Sequence, residues 1–206
     1  MPRHRSWRGP HGVARRRLLA ILASGLVLGV GATATLAAWN DAEMGTGSFS
    51  ASVFVSEAKD TASSTYAQTS DAAPAALTFA VAGLSPSATA TAGLDVRTTA
   101  ATTVDGQAVL SAIAPGGAGT LTAQLDYKVA VLAGTGTACS DSSIYTDAVF
   151  TDTTAAVPAG KSAAITKAAG NVVRFCFQVR MKPTAPSTIQ GQSGTLKWTV
   201  TTSSNQ

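Results

Sequence analysis

Histidine occurs only twice in this chain, at His4 and His11, and from residue 12 onward there is none. Ser/His/Asp triads, Cys/His pairs and the zinc-protease motif HExxH are thereby excluded from all that follows. Charged residues make up 13% of the chain and aromatics 6%, a scarcity that favours strands joined by small polar turns. No Gly-rich stretch carries the lysine of a phosphate-binding loop, which removes support for nucleotide binding. No repeat of fixed period is present, which argues against a solenoid. Past residue 38 the apolar runs are short, and Ala, Thr, Ser, Gly and Val dominate, a composition that favours strands joined by small polar turns. The same composition would suit a disordered stalk, but the apolar alternation described below can bury a core.

The charge is unevenly placed. Of the 15 basic residues, Arg3, Arg5, Arg8, Arg15, Arg16 and Arg17 lie in the first 17 positions. Without them, nine Lys and Arg face eleven Asp and Glu, a net charge of −2, so the basic balance gives no reason to expect a nucleic-acid partner. Behind the arginines runs LLAILASGLVLGVGATATLAA, from Leu18 to Ala38, followed at once by the polar WNDAE. A basic head, an apolar stretch and a small-residue end are the three parts of a secretory signal, expected to be helical. The small side chains of Thr35 and Ala37 place the expected cut between Ala37 and Ala38. The apolar run is also long enough to span a bilayer, so an uncleaved segment would act as a membrane anchor. Arg15-Arg16 before Arg17-Leu18-Leu19 loosely fits a twin-arginine signal, leaving the export route open between that and the general secretory one.

The block GATATLAAWNDAEMGTGSFSASVFV resembles the signal and mature start of the TasA/camelysin group. In that group a Gly-rich run ends in Ala-Ala, followed by an aromatic, a small polar residue and Asp, and then by a Phe-containing strand. The matching positions are Ala37, Ala38, Trp39, Asn40, Asp41 and Phe49, and the match covers roughly residues 25–57. Farther on, Gln190-Gly191 and GTLKWTVTTS are similar to the terminal strand of such proteins, and the short Ala/Thr-rich body is closest in type to exported actinobacterial relatives. The resemblance implies processing by a signal peptidase of the SipW type. It also implies a role in a matrix or fibre whose subunits exchange a donor strand. Camelysin-type members have been classed as metallopeptidases, an activity whose histidines are missing here.

Strict alternation marks the strands. In Leu121–Leu132 the odd positions Leu121, Ala123, Leu125, Tyr127, Val129 and Val131 form one face, with Thr122, Gln124, Asp126 and Lys128 on the other. Val172–Arg180 sets Val173, Phe175, Phe177 and Val179 inward against Arg174, Gln178 and Arg180. Thr195–Thr202 does the same with Leu196, Trp198 and Val200. Further strands are expected at Ser48–Val55, Leu77–Ala82, Ala92–Thr98, Ala108–Ile113 and Tyr145–Phe150, and a surface loop at Ala58–Ala73. Asp105-Gly106, Pro115-Gly116-Gly117, Gly134-Thr135-Gly136 and Ala159-Gly160 supply the turns. About eight strands make an antiparallel β-sandwich of one domain, jelly-roll or immunoglobulin-like. The chain thus divides into a signal at 1–37, a mature N-terminus or donor segment at 38–47 and a sandwich at 48–206.

Cys139 and Cys176, the only cysteines, follow the export signal and are expected to form a disulfide. Cys176 shares the register of Arg174 and Gln178, so the bridge would pin the loop of Cys139 to the outside of a sheet. Asp141, Asp147 and Asp152 lie close together without the DxDxDG spacing of a calcium loop and read as solvated loop carboxylates. Lys161-Ser162 does not make a Ser/Lys dyad, since neighbours on a strand point to opposite faces. No cofactor or metal is called for. The expectation is a secreted or surface-associated structural protein, a homo-oligomer or filament in which Trp39 and residues 38–47 complete a neighbour's sheet. A monomeric extracellular binding or adhesin module is the competing class, and a camelysin-like peptidase the disfavoured one. With no sorting motif or apolar helix after the last strand, wall attachment would be non-covalent.

Overall fold

The computed structural model describes residues 16–22, 48, 50–79, 83–117 and 120–205. Residues 16–22 are a short exposed helix in a unit that ends at Phe49, and the second compact unit is Ser50–Gln206. Among the described residues no helix is long and apolar enough to cross a membrane. The expected cleavage residues Ala37 and Ala38, the candidate assembly residues Trp39, Asn40 and Asp41, and Phe49 lie outside the described residues.

The second unit is an all-β sandwich of two antiparallel sheets. Its strands are β1 (Ser56–Asp60), β2 (Thr89–Thr98), β3 (Gly106–Gly116), β4 (Leu125–Ala133), β5 (Thr151–Asp152), β6 (Ser162–Ile165), β7 (Val173–Met181) and β8 (Thr195–Ser204). One sheet has the order β1-β2-β7-β4-β5 and the other β6-β3-β8. The second strand pairs with the seventh, the third with the sixth and the fourth with the fifth. This is the pattern of one long hairpin folded over into two sheets, a jelly roll rather than an immunoglobulin topology. One pair of that pattern is missing among the described residues. The first strand forms no ladder with the eighth, although the Ser56 and Thr202 hydroxyls meet at 2.8 Å; β1 pairs with β2, and β8 ends its sheet.

Alternation places the core where the pattern requires. Val173, Phe175, Phe177 and Val179 of β7 and Leu125, Tyr127 and Val129 of β4 face Ala108 and Leu110 of β3 and Ile165 of β6. At β4 the expected face breaks down N-terminal to Leu125. Residues Thr122–Gln124 form a 3-10 turn, which buries Thr122 and turns Ala123 out to solvent. Gly134 closes the other end of β4 at φ +89°, a conformation a side chain would strain.

Three expected strands are corrected. Residues 50–55 form no strand, because Val53 and Val55 give their amides to the Thr103 and Thr102 hydroxyls, and their carbonyls accept from Thr103 and Thr99. The strand begins instead at Ser56, so the loop expected from Ala58 starts after Asp60. Residues 77–79 of the expected Leu77–Ala82 strand belong to no strand, and 80–82 lie outside the described residues. Tyr145–Phe150 is not a strand either. Asp141 caps a 3-10 turn over Ser142–Tyr145 by accepting from the Ser143 amide, and only Thr151–Asp152 reaches β4. Asp105-Gly106 is no simple turn, since Gly106 already pairs with Ser204 and Ile165. A Cβ there would stand 2.3 Å from the Ser203 carbonyl and 2.4 Å from the Phe54 ring, so the glycine serves close packing. Ser162 opens β6, a strand the alternation did not single out.

Candidate functional site

Two features stand apart from ordinary core: the outer face of the five-stranded sheet, and the free side of β8.

On the outer face Cys139 and Cys176 are joined in a disulfide. Cys176 is fully buried with Ala130, Cys139 and Tyr145 in a cluster separate from the inter-sheet core. As the register implied, the bridge holds the 134–148 connection on the outside of the sheet. Tyr145 donates its hydroxyl to the Cys139 carbonyl at 3.0 Å, and burial pushes that phenol's pKa upward. Gly93, opposite Cys176 on β2, leaves the room the bridge occupies; a Cβ would sit 2.5 Å from the Cys139 sulfur and 2.6 Å from Thr61 Cγ2.

One register step away lies a buried ion pair, on the face to which alternation assigned Arg174. Asp95 is fully buried and takes both a 2.6 Å bond from Arg174 Nε and a 2.9 Å bond from Nη2. Arg174 Nη1 donates to the carbonyls of Thr135 and Thr137, so the guanidinium fastens the same connection that the disulfide holds. Hydrogen bonding to Asp95 raises the Arg174 pKa further. Alongside, Arg97 pairs with Glu57 at 2.7 Å and stacks over the Tyr66 ring at 3.8 Å. The hint in the sequence was Asp95 itself, a carboxylate set between Leu94 and Val96.

Of the three aspartates weighed for calcium, two have tasks of their own. Asp141 caps its 3-10 turn, while Asp152 accepts from Lys182 and from the amide and hydroxyl of Thr154. Among the described residues no three His, Cys, Asp or Glu side chains gather as a cation site. The Lys182 and Thr154 bonds hold the Asp152 carboxyl down at about 2. A carboxyl depressed by folding adds stability above its ordinary value near ~4 and loses that contribution as pH falls through its folded value. Asp152→Asn is therefore expected to flatten the drop in melting temperature between about pH 4 and pH 2. Thermal melts of both proteins across that range check it, and parallel curves would refute it.

The free side of β8 is the second feature. Ten residues long, this strand is bonded among the described residues to β3 on one side only. Its inward side chains Leu196, Trp198 and Val200 are only partly buried, although they pack on the core. Trp198 stacks on Phe177 with 4.5 Å between centroids, meets Tyr127 edge-on at 6.3 Å, and touches Phe79 at 6.0 Å. Its indole Nε1 is buried with no hydrogen-bond partner among the described residues. Between β1 and β8 the sandwich opens into a cavity of about 790 Å³, walled by Ala58, Leu94 and Val96 on one side and by Leu196, Trp198 and Val200 on the other. A second cavity of about 750 Å³ continues past Trp198 toward Leu84, Met181 and Ile189. A largely apolar trough therefore runs along the side of β8 that faces away from β3.

Compared with known protein families and with curated proteins, the chain matches none. The site must be read from its own geometry.

Proposed function

We propose that this chain is an exported structural subunit that assembles by accepting a strand from a neighbouring copy along the free side of β8. One observation carries the reading: among the described residues the jelly-roll pattern lacks its first-strand partner for β8, leaving the side of this ten-residue strand away from β3 as a backbone edge beside a largely apolar trough. Long unpaired edges are normally shortened, charged or covered, because they template pairing with other chains. β8 carries a single charge, Lys197, and is otherwise Thr, Ser, Leu, Trp and Val. An added strand would gain affinity from backbone bonds and specificity from alternate side chains entering the trough. A carbonyl brought in by that strand would also give Trp198 Nε1 its missing acceptor.

The donor in this reading is residues 38–47, AWNDAEMGTG, freed by cleavage after Ala37, with Trp39 as the large side chain that fills the trough. Their number equals that of β8. Export rests on the N-terminal signal pattern, and the disulfide fits it, because such bonds persist in oxidising surroundings. Resemblance to the TasA/camelysin group at residues 25–57 points the same way, toward a matrix or fibre subunit acting outside the cell without an active centre of its own.

Purified mature protein is expected to form filaments visible by electron microscopy, and deletion of 38–47 to abolish them while leaving the far-ultraviolet circular dichroism spectrum of the sandwich intact. Filaments undiminished by the deletion would overturn the donor assignment. A strictly monomeric mature protein at high concentration would favour the monomeric binding module instead, and chelator-sensitive proteolysis would favour the peptidase.

A further inference from the structure

The trough beside β8 is not empty of its own chain. Residues 69–79 (TSDAAPAALTF) cross it, and Thr69, Asp71, Pro74, Leu77 and Phe79 line the cavity together with β1 and β8. This stretch is tied down at three points. Asp71 accepts from Lys197 of β8 at 2.6 Å, the Phe79 ring lies on Trp198, and the Thr78 amide donates to Asp60 Oδ2 at 3.0 Å. What it does not do is pair with β8: among the described residues no backbone hydrogen bond joins 69–79 to Thr195–Ser204. Pro74 removes one donor from the middle of the stretch, and its only internal ladder-like contact is the Ser70–Ala73 turn.

We propose that residues 69–79 form a displaceable strap, which shields the β8 edge and trough in the free subunit and must swing aside before an incoming strand can pair there. The proposal rests on the assembly reading above for its purpose, but the cover itself is a property of the single chain. A strap that bonded β8 through its backbone would be a finished strand and would block assembly outright. One held by side chains alone leaves β8 its backbone donors and acceptors. The tie on β8 is well placed for release, since Asp71 is 88% exposed and Lys197 40% exposed in their side chains. Ion pairs of that exposure are weak and screened by salt. The tie at the far end differs: Asp60 is buried, and its second oxygen also accepts from Thr61 and Ala62, so this end acts as the hinge. On the other side the hinge is Ala67, whose amide and carbonyl both bond Ala58. Between these anchors residues 68–77 can lift while Ala67 and Thr78 stay bonded to β1, and Phe79, one residue beyond, leaves Trp198 as the chain turns at Thr78.

The test uses the mature protein with three variants: Lys197→Glu, which sets two carboxylates against each other; Asp71→Lys with Lys197→Glu, which restores the pair in reverse; and Phe79→Ala, which removes the ring contact. Hydrogen exchange of the β8 amides reads the cover, and the rate of filament growth reads its consequence. Lys197→Glu and Phe79→Ala are each expected to speed exchange at β8 about fivefold and to shorten the lag before growth, while the reversed pair returns both to the parent values. Unchanged β8 exchange in both single variants would overturn the strap whatever the filaments do. Faster exchange with an unchanged growth rate would overturn its gating role and leave assembly standing. Faster exchange with no filaments from any variant, the parent included, would sink the assembly reading and the gating role together.

Discussion

Asp95→Ala is expected to cost about 3–5 kcal/mol of folding stability, enough to leave a domain of ordinary stability largely unfolded on mild heating. Asp95 is fully buried at the centre of the outer face, and its carboxylate takes both the Nε and Nη2 protons of Arg174. Taking it away strands a guanidinium that is itself buried and whose remaining bonds, to Thr135 and Thr137, answer only Nη1. The penalty comes from the charge left behind rather than from the lost attraction. A second substitution should therefore relieve it: Asp95→Ala with Arg174→Met is expected to recover most of the loss, since a buried pair replaced by apolar side chains is often no less stable. Chemical denaturation of the parent, the single and the double variant measures this directly. A single variant within about 1 kcal/mol of the parent would show that water reaches the guanidinium and that the pair is not structural.

Removing the disulfide is expected to have an effect of similar size by a different route. Cys139 and Cys176 close a loop 37 residues apart, and in the chain-entropy view such a link removes about 4 kcal/mol of freedom from the unfolded chain. Cys139→Ala with Cys176→Ala should lower the denaturation midpoint accordingly, and adding a reductant to the parent should reproduce the shift while leaving the double variant untouched. Arg174 and the disulfide hold the same connection to the same sheet face, so their contributions are not independent. Combining Asp95→Ala with loss of the bridge should cost less than the sum of the two, because the connection, once free, exposes the guanidinium to water. Strict additivity in a double-mutant cycle would show that each tie acts on its own.

Much of this could be foreseen because strands write their burial into the sequence with a period of two. Val173, Phe175, Phe177 and Val179 could be assigned to the core from spacing alone, as could Leu196, Trp198 and Val200. Local chemistry failed where side chains replaced the ladder. At 50–55 the hydroxyls of Thr102 and Thr103 satisfy a stretch that reads as a strand, and at 142–145 the Asp141 cap turns another into a 3-10 turn. Alternation also says which face a residue occupies without saying whether that face is wet. Arg174 was placed correctly away from the inter-sheet core, yet it is buried there, because the 134–148 connection folds over it.

By itself the sequence determined the all-β class, the inward faces of the three long strands and the pairing of the only two cysteines, since each depends on residue identity and short-range spacing. Tertiary structure alone decided the rest. Which strands become neighbours depends on loop closure over tens of residues, and only there does it emerge that β1 turns to β2 and that, among the described residues, β8 has β3 as its one ladder partner. The burial of Asp95 against Arg174, 79 residues away, and the lie of 69–79 across the trough depend on contacts that no local pattern encodes.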